Sequence, residues 1–233
     1  MKPLAAFAAD GRVLLSMLHG QSRRGSHAER LQAFYAPQAD RYDAFRAGLL
    51  HGREELIARL GLEPGMRLVE LGCGTGQSLD IIGPAADLLA RYDMVDLCPA
   101  LLAHARRRAQ GRPAVVVHEA DAKDWMPDQP ADRIFISYAL TMIPEWSITI
   151  DAMGKMLAPG GRIGVVDFHL PGDGRLNGFW RRWFAHDGVH VSAEHLPRLR
   201  DRYPRHWFSE RTGRLPYIPL LTAPYYLFVG HRE

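Results

Sequence analysis

The chain has 233 residues, 47% of them hydrophobic, which is enough apolar material for one substantial core and too little for two full domains. Its two cysteines, Cys73 and Cys98, exclude a disulfide framework and fit a reducing, cytoplasmic setting; neither has a His or Cys at metal-ligand spacing, so no metal is expected. No apolar run reaches the length of about eighteen residues that a membrane span requires, and the net charge of +3 gives no overall bias toward a polyanionic partner.

That small net charge hides an uneven distribution. Lys and Arg outnumber Asp and Glu by five to two over residues 1–30 and by nine to five over 173–214, whereas residues 31–172 carry fourteen against eighteen. In residues 1–25, Leu4, Phe7, Ala8, Leu14, Leu15 and Leu18 fall on one helical face, with Lys2, Arg12, Arg23 and Arg24 available to a negative surface. Asp10, Gly11 and Arg12 interrupt this stretch too early for a secretory signal. The expectation is an amphipathic helix, with peripheral contact at the inner face of the cytoplasmic membrane. Residues 26–60 predict a helical lid, broken at Pro37 and resuming from Asp40 through Leu60, with Tyr42, Phe45, Leu49, Leu56 and Leu60 on one face. Gly61 and Pro64-Gly65 end it.

The next segment, RLVELGCGTG from Arg67 to Gly76, is a buried-strand pattern running into a turn with Gly72, Gly74 and Gly76 at alternate positions. Glycines there let the backbone approach a ligand at the carboxyl edge of a sheet. The spacing is G-x-G-x-G rather than the dinucleotide G-x-G-x-x-G, and Glu70 stands two residues before it. A carboxylate there repels a pyrophosphate and suits a ligand with cationic groups, such as the amino-acid end of S-adenosylmethionine. Asp96 ends the following apolar strand, where a ribose diol can be held by a charge-assisted pair, and Leu97 follows it. Asp121 and Ala122, past the strand 114–118, are placed to read adenine by side chain and backbone N–H.

Strand and helix alternate from there, predicting a parallel sheet with strands near 67–71, 92–96, 114–118, 133–137 and 162–167 and helices near 78–90, 99–109 and 145–157. Residues 206–213 and 224–230 are expected as a closing antiparallel pair. Between them and the fifth strand lies a helical insertion, 169–204, in which Trp180, Trp183 and Phe184 sit at helical spacing around Arg181 and Arg182. Core packing and a cover over the site mouth both account for that stripe. His186 and His190 lack the further ligands a metal needs.

Transfer of a methyl group from a sulfonium is an in-line displacement whose leaving thioether is neutral, so alignment and exclusion of water are the main requirements. An amine acceptor adds the need for a free lone pair, met by a nearby base or by a desolvating pocket that lowers the amine pKa. Ser137 and Tyr138 fall just past the fourth strand, and Asp167 and His169 end the fifth, as candidate rim groups. The chain contains neither a DPPY-type tetrapeptide nor a Pro-Cys dipeptide, so no nucleic-acid substrate is expected.

The ordered set of strand, glycine loop, acid, strand and acid resembles the class I S-adenosylmethionine-dependent methyltransferases. That resemblance implies a Rossmann-like sandwich, a seven-stranded mostly parallel sheet with an antiparallel last strand, as one domain over 1–233. The longer segments HAERLQAFYAPQADRYDAFRAGLLHGREELI, DRIFISYALTMIPEW, GGRIGVVDFHLP and FWRRWFAHDGVHVSAEHLPRLR look similar to the bacterial betaine-lipid N-methyltransferases. This likeness implies three methyl transfers to the amine of diacylglyceryl-homoserine at a membrane surface, S-adenosylhomocysteine as product, and a partner 3-amino-3-carboxypropyl transferase. By position it implies that Tyr42, Glu70, Gly72, Gly74, Gly76, Asp96, Leu97, Asp121, Ala122 and Ser137 bind the cofactor, with Tyr138, His169 and His186 as catalytic candidates. A methyltransferase of a soluble small molecule or quinone, and a non-catalytic cofactor-binding subunit, are the alternative readings.

Overall fold

The computed structural model describes residues 25–41, 43, 48–170, 177–186, 188–214 and 222–233. At its centre lies β1 (Arg67–Leu71), parallel to β2 (Arg91–Asp96) on one side and to β4 (Ala131–Ser137) on the other, with Leu71 opposite Val95 and Ile136. Outside these run β3 (Val115–Glu119) and β5 (Leu157–Phe168), both parallel, and then β7 (Thr222–His231), antiparallel, with β6 (His206–Arg214) beyond it. The order is β3-β2-β1-β4-β5-β7-β6, the mixed sheet expected from the sequence.

Burial on both faces explains why the central strands are apolar runs rather than alternating ones. Leu68, Tyr92 and Met94 pack under α2 (Arg53–Leu60), α3 (Gln77–Ile82) and α4 (Pro99–Arg108), against Leu56, Leu60, Leu79 and Leu102. Val69, Leu71, Val95 and Ile134 face α5 (Trp146–Met156) and α7 (His195–Arg202), against Ile150, Met153, Leu199 and Tyr203.

A third apolar cluster closes the carboxyl edge of the sheet. Leu31, Phe34 and Tyr35 of α1 (His27–Tyr35) meet Cys98, Leu101, Met142, Phe168 and Trp180, the last from α6 (Asn177–His186). Each fully buried side chain of this size contributes about 1.5–3 kcal/mol, so the cover is held by packing. Ser26 starts α1 with a capping box, its hydroxyl accepting from Glu29 N at 3.3 Å while Glu29 Oε2 accepts from Ser26 N at 2.7 Å. Gln32 Oε1 then accepts from Ala100 N at 3.0 Å, supplying α4 with the cap that its own Cys98 does not. Trp180 is buried within this cover, so at that position packing and covering are one contact, while Arg181 and Arg182 are exposed.

Two helical boundaries differ from expectation. The continuous helix from Asp40 to Leu60 does not form: a 3₁₀ turn covers Ala36–Arg41, and Gly52 at φ 80° precedes α2 at Arg53. The helix near 78–90 ends at Ile82, and a 3₁₀ turn Gly83–Leu88 follows, because Pro84 has no N–H to continue the ladder. The amphipathic reading of residues 1–25 falls outside the described residues but for Gly25, and so do Tyr42 and Phe45. No helix among the described residues is long and apolar enough to cross a membrane.

Candidate active site

The carboxyl ends of β1, β2, β3 and β4 open onto one cleft, partly open to solvent. The glycine loop forms its floor. Gly72 N and Cys73 N both donate to Val95 O, at 2.8 and 3.0 Å, which pins the loop onto β2. Gly72 sits at φ 70°, and a Cβ there would lie 2.3 Å from Ala139 Cβ, so only glycine fits between β1 and β4.

Asp96 organises the wall beside the loop. Its Oδ2 accepts from Gly74 N and its Oδ1 from Cys98 N, both at 2.8 Å, and each oxygen keeps a lone pair for a ligand hydroxyl. Burial raises the Asp96 pKa, against the backbone N–H groups of Cys98, Gly74 and Leu97 that favour the carboxylate. Further along, Asp121 folds its own turn: its carbonyl accepts from Asp124 N and Trp125 N, and its Oδ1 accepts from Lys123 N at 3.1 Å. Ala122, Leu97 and Ser137 line the same cleft, and the Ser137 hydroxyl is buried with no hydrogen-bond partner among the described residues. Such an orphaned polar atom is what a ligand group would satisfy.

Several expected residues are placed elsewhere. Glu70 does not line the cleft; it is buried below the loop, where Ser78 Oγ donates to Oε1 at 2.6 Å and Tyr92 Oη to Oε2 at 2.5 Å. It ties α3 and β2 to the loop, the anchoring part of the role that its place in the motif implies. Gly76 is also set back from the cleft. Its Cβ would meet Met94 Cε at 2.4 Å and the Ala105 backbone at 3.2 Å, so its glycine serves helix packing.

The catalytic candidates fare similarly. Tyr138 lines the cleft at φ 53°, its hydroxyl donates to His51 O at 2.7 Å, and burial raises its pKa well above the usual value. His169 lies apart from the cleft, its Nε2 at 2.6 Å from Glu210 Oε1. Asp167 is sealed against Thr141, whose N and Oγ1 donate to it at 3.0 and 2.7 Å, and burial raises its pKa to about 6. Asp167 and His169 therefore do not form a rim pair. The His186 side chain, like all of Tyr42, lies outside the described residues.

The sequence reading passed over His27, Leu31 and Tyr35 of the cover, together with Thr75, Gln77 and Met142, all of which line the cleft, as Arg53 does. Thr75 and Gln77 adjoin the glycine loop and were within reach of a motif argument. The others come from elements packed over the site, for which no local signal exists. Cys73 and Cys98 are free, buried, and part of the cleft wall. No group of His, Cys, Asp or Glu among the described residues is arranged for a metal.

These features suit S-adenosylmethionine: a loop without side chains, a carboxylate for the ribose at Asp96, and an acid followed by a backbone N–H at Asp121 and Ala122. When bound, the cofactor supplies an activated methyl group, and the chain's residues hold it and exclude water. The structure is similar to phosphoethanolamine N-methyltransferase 2 of Haemonchus contortus in complex with phosphomonomethylethanolamine and S-adenosylhomocysteine (TM-score 0.75, 15% identity, 90% of this chain and 61% of that one). It is also similar to the N-methyltransferase NodS of Bradyrhizobium japonicum in complex with S-adenosylhomocysteine (TM-score 0.65, 18% identity, 87% and 98%). In sequence it is 34% identical over 116 residues to trans-aconitate 2-methyltransferase of Methylobacterium nodulans, covering 48% of this chain and 42% of that protein. The Escherichia coli O6:K15:H31 protein of the same name is 35% identical over 120 residues, covering 50% and 44%. The matched region thus spans less than half the length of these curated relatives. A family model described as a methyltransferase domain matches residues 39–213, and the chain belongs to that family, with the fold of a class I S-adenosylmethionine-dependent methyltransferase.

Proposed function

We propose that this protein transfers a methyl group from S-adenosylmethionine to a small soluble carboxylic acid. The cofactor half of the reading rests on Asp96, whose two oxygens are fixed by Gly74 N and Cys98 N at the end of β2. Asp96 would hold the ribose, Asp121 with Ala122 the adenine, and the Gly72 and Gly74 backbone would pass beneath the nucleoside.

The acceptor half rests on one observation. Tyr138 donates its hydroxyl to His51 O, and Asp167 and His169 lie outside the cleft lining, so none of the three presents a base to an acceptor there; the imidazole that does line the cleft is His27, on the α1 cover. A carboxylate acceptor is ionised near neutral pH and asks for no base, whereas an ammonium must first be deprotonated. Trans-aconitate, named in the relatives, is a small carboxylate of this kind. In this reading the residues act by alignment and by keeping water out, and the cover of α1 supplies the second.

The test is S-adenosylhomocysteine release by the purified full chain with three acceptors in turn: trans-aconitate, free homoserine, and diacylglyceryl-homoserine in phosphatidylglycerol vesicles. Release with the soluble carboxylate is expected. Release confined to the lipid would return the homoserine-lipid amine as the acceptor. Tight S-adenosylhomocysteine binding with no release on any acceptor or cell extract would mark a non-catalytic cofactor-binding subunit.

A further inference from the structure

Arg53 is the only Lys or Arg among the described residues that line the cleft. It begins α2, which lies across β5 where Gly164 leaves room: a Cβ at that position would come within 3.0 Å of Leu56 Cδ1 and 3.1 Å of Leu60 Cδ2. The helix is thus seated directly on the sheet. Immediately before Arg53, the turn at His51 and Gly52 is held from the site itself, because Tyr138 Oη donates to His51 O at 2.7 Å.

The guanidinium is oriented from two sides. Its Nη1 donates to Gln77 Oε1 at 2.6 Å and its Nη2 to Ser78 Oγ at 3.0 Å, both at the start of α3. Its Nε is buried and has no hydrogen-bond partner among the described residues. A buried guanidinium donor without an acceptor costs about 1–3 kcal/mol unless something fills the place. Asp96 and Asp121 serve the β2 and β3 ends of the cleft, while Arg53 stands with Gln77 and Ser78 at the start of α3.

S-adenosylmethionine carries one anionic group, the carboxylate of its amino-acid end. We infer that Arg53 binds that carboxylate and that Tyr138 is the positioning residue that holds Arg53 over the cleft through the His51 carbonyl. The inference rests on the cofactor reading above and sharpens it. It gives the carboxylate of the amino-acid end a cation of its own, one that meets Glu70 through the Ser78 hydroxyl. The rival account makes Arg53 a distant counter-charge for buried Glu70, reached through Ser78, with no part in binding.

Two ligands separate these accounts. S-adenosylhomocysteine has the amino-acid end, and 5′-methylthioadenosine lacks it while keeping adenine, ribose and sulfur. Calorimetry on the full chain should show Arg53→Gln weakening S-adenosylhomocysteine by about 10- to 100-fold, with methylthioadenosine held within about twofold, as expected for loss of a charge-assisted contact. Tyr138→Phe should give the same selective loss, smaller in size. Retained methylthioadenosine binding reports that each variant is folded, and if Arg53→Gln does not fold, Tyr138→Phe carries the test. Equal weakening of both ligands, or of neither, would overturn the role of Arg53. Failure of the wild-type chain to bind either ligand would instead remove the cofactor reading on which the inference stands.

Discussion

Asp96→Asn isolates the residue on which the cofactor reading turns, because it keeps the shape and removes the charge. In the native protein each carboxylate oxygen accepts one backbone N–H at 2.8 Å, from Gly74 and from Cys98. An amide has one oxygen, so its NH₂ must face one of those two donors, and that N–H loses its acceptor. The loss of one such bond costs about 1–2 kcal/mol of stability, or about 2–8 °C in Tm for a chain of this size. The ligand term is separate. A ribose hydroxyl on a carboxylate is a charge-assisted bond worth about 1.5–3 kcal/mol, so S-adenosylhomocysteine affinity should fall about 12- to 140-fold. Titration calorimetry reads the affinity and a thermal melt reads the fold. A Tm that falls while Kd stays within twofold would show that Asp96 only braces the loop, and the ribose assignment would fail.

Two of the three loop glycines behave differently under the same substitution. Gly76→Ala adds left-handed backbone strain at φ 75° to a collision with Met94 and Ala105, about 2–4 kcal/mol together, whereas Gly74→Ala meets only Leu101 Cδ1 at 3.9 Å and costs about 1–2 kcal/mol. Urea denaturation of both variants checks this, and equal losses would contradict the packing role given to Gly76. His195 provides a pH signature. Burial lowers its pKa from 6.5 to about 4, with His169 contributing, so the neutral imidazole stabilises the fold fully above pH 6.5, and this is lost as pH falls toward 4. At pH 4.5 the wild-type loss through His195 amounts to about 2–3 kcal/mol. Asp167, with its pKa raised to about 6, has the opposite sign: its contribution is complete below the ordinary carboxyl value and declines as pH rises through 6. His195→Phe should therefore reduce the acid destabilisation measured between pH 7 and 4.5, and an unchanged pH slope would refute the assignment.

Most of the fold was legible because its signals are local and repeated. The five parallel strands from Arg67 onward centre on apolar runs, and these survive in the structure with shifted ends. The cover was less legible. Leu49, Leu56 and Leu60 share a helical spacing with Tyr42 and Phe45, yet α2 starts only at Arg53, since Gly52 takes φ 80° and Tyr138 Oη fixes the carbonyl of His51. Periodicity reads side chains along one helix and has no access to a bond from a residue 87 positions away.

The site divides along the same line. Asp96, Asp121, Ala122, Gly72 and Gly74 reach the cleft because strand ends and the turns that follow them must open at the carboxyl edge of a parallel sheet. Glu70 shares that motif but points the other way, since alternate residues of β1 face opposite sides: Leu71 joins the α5 and α7 side, whereas Leu68 joins the α2 side, where Ser78 and Tyr92 meet Glu70. On the fifth strand Phe168 turns to Tyr138 and the cover, whereas Asp167 and His169 turn to Thr141 and Glu210. Proximity in sequence to the edge of the sheet thus nominates a residue, and the partner it meets there, Ser78 and Tyr92 for Glu70 or Thr141 for Asp167, decides whether it serves the ligand or the frame. The cation for the cofactor's carboxylate then has to come from outside the sheet, from a helix lying over it, which is the place Arg53 occupies.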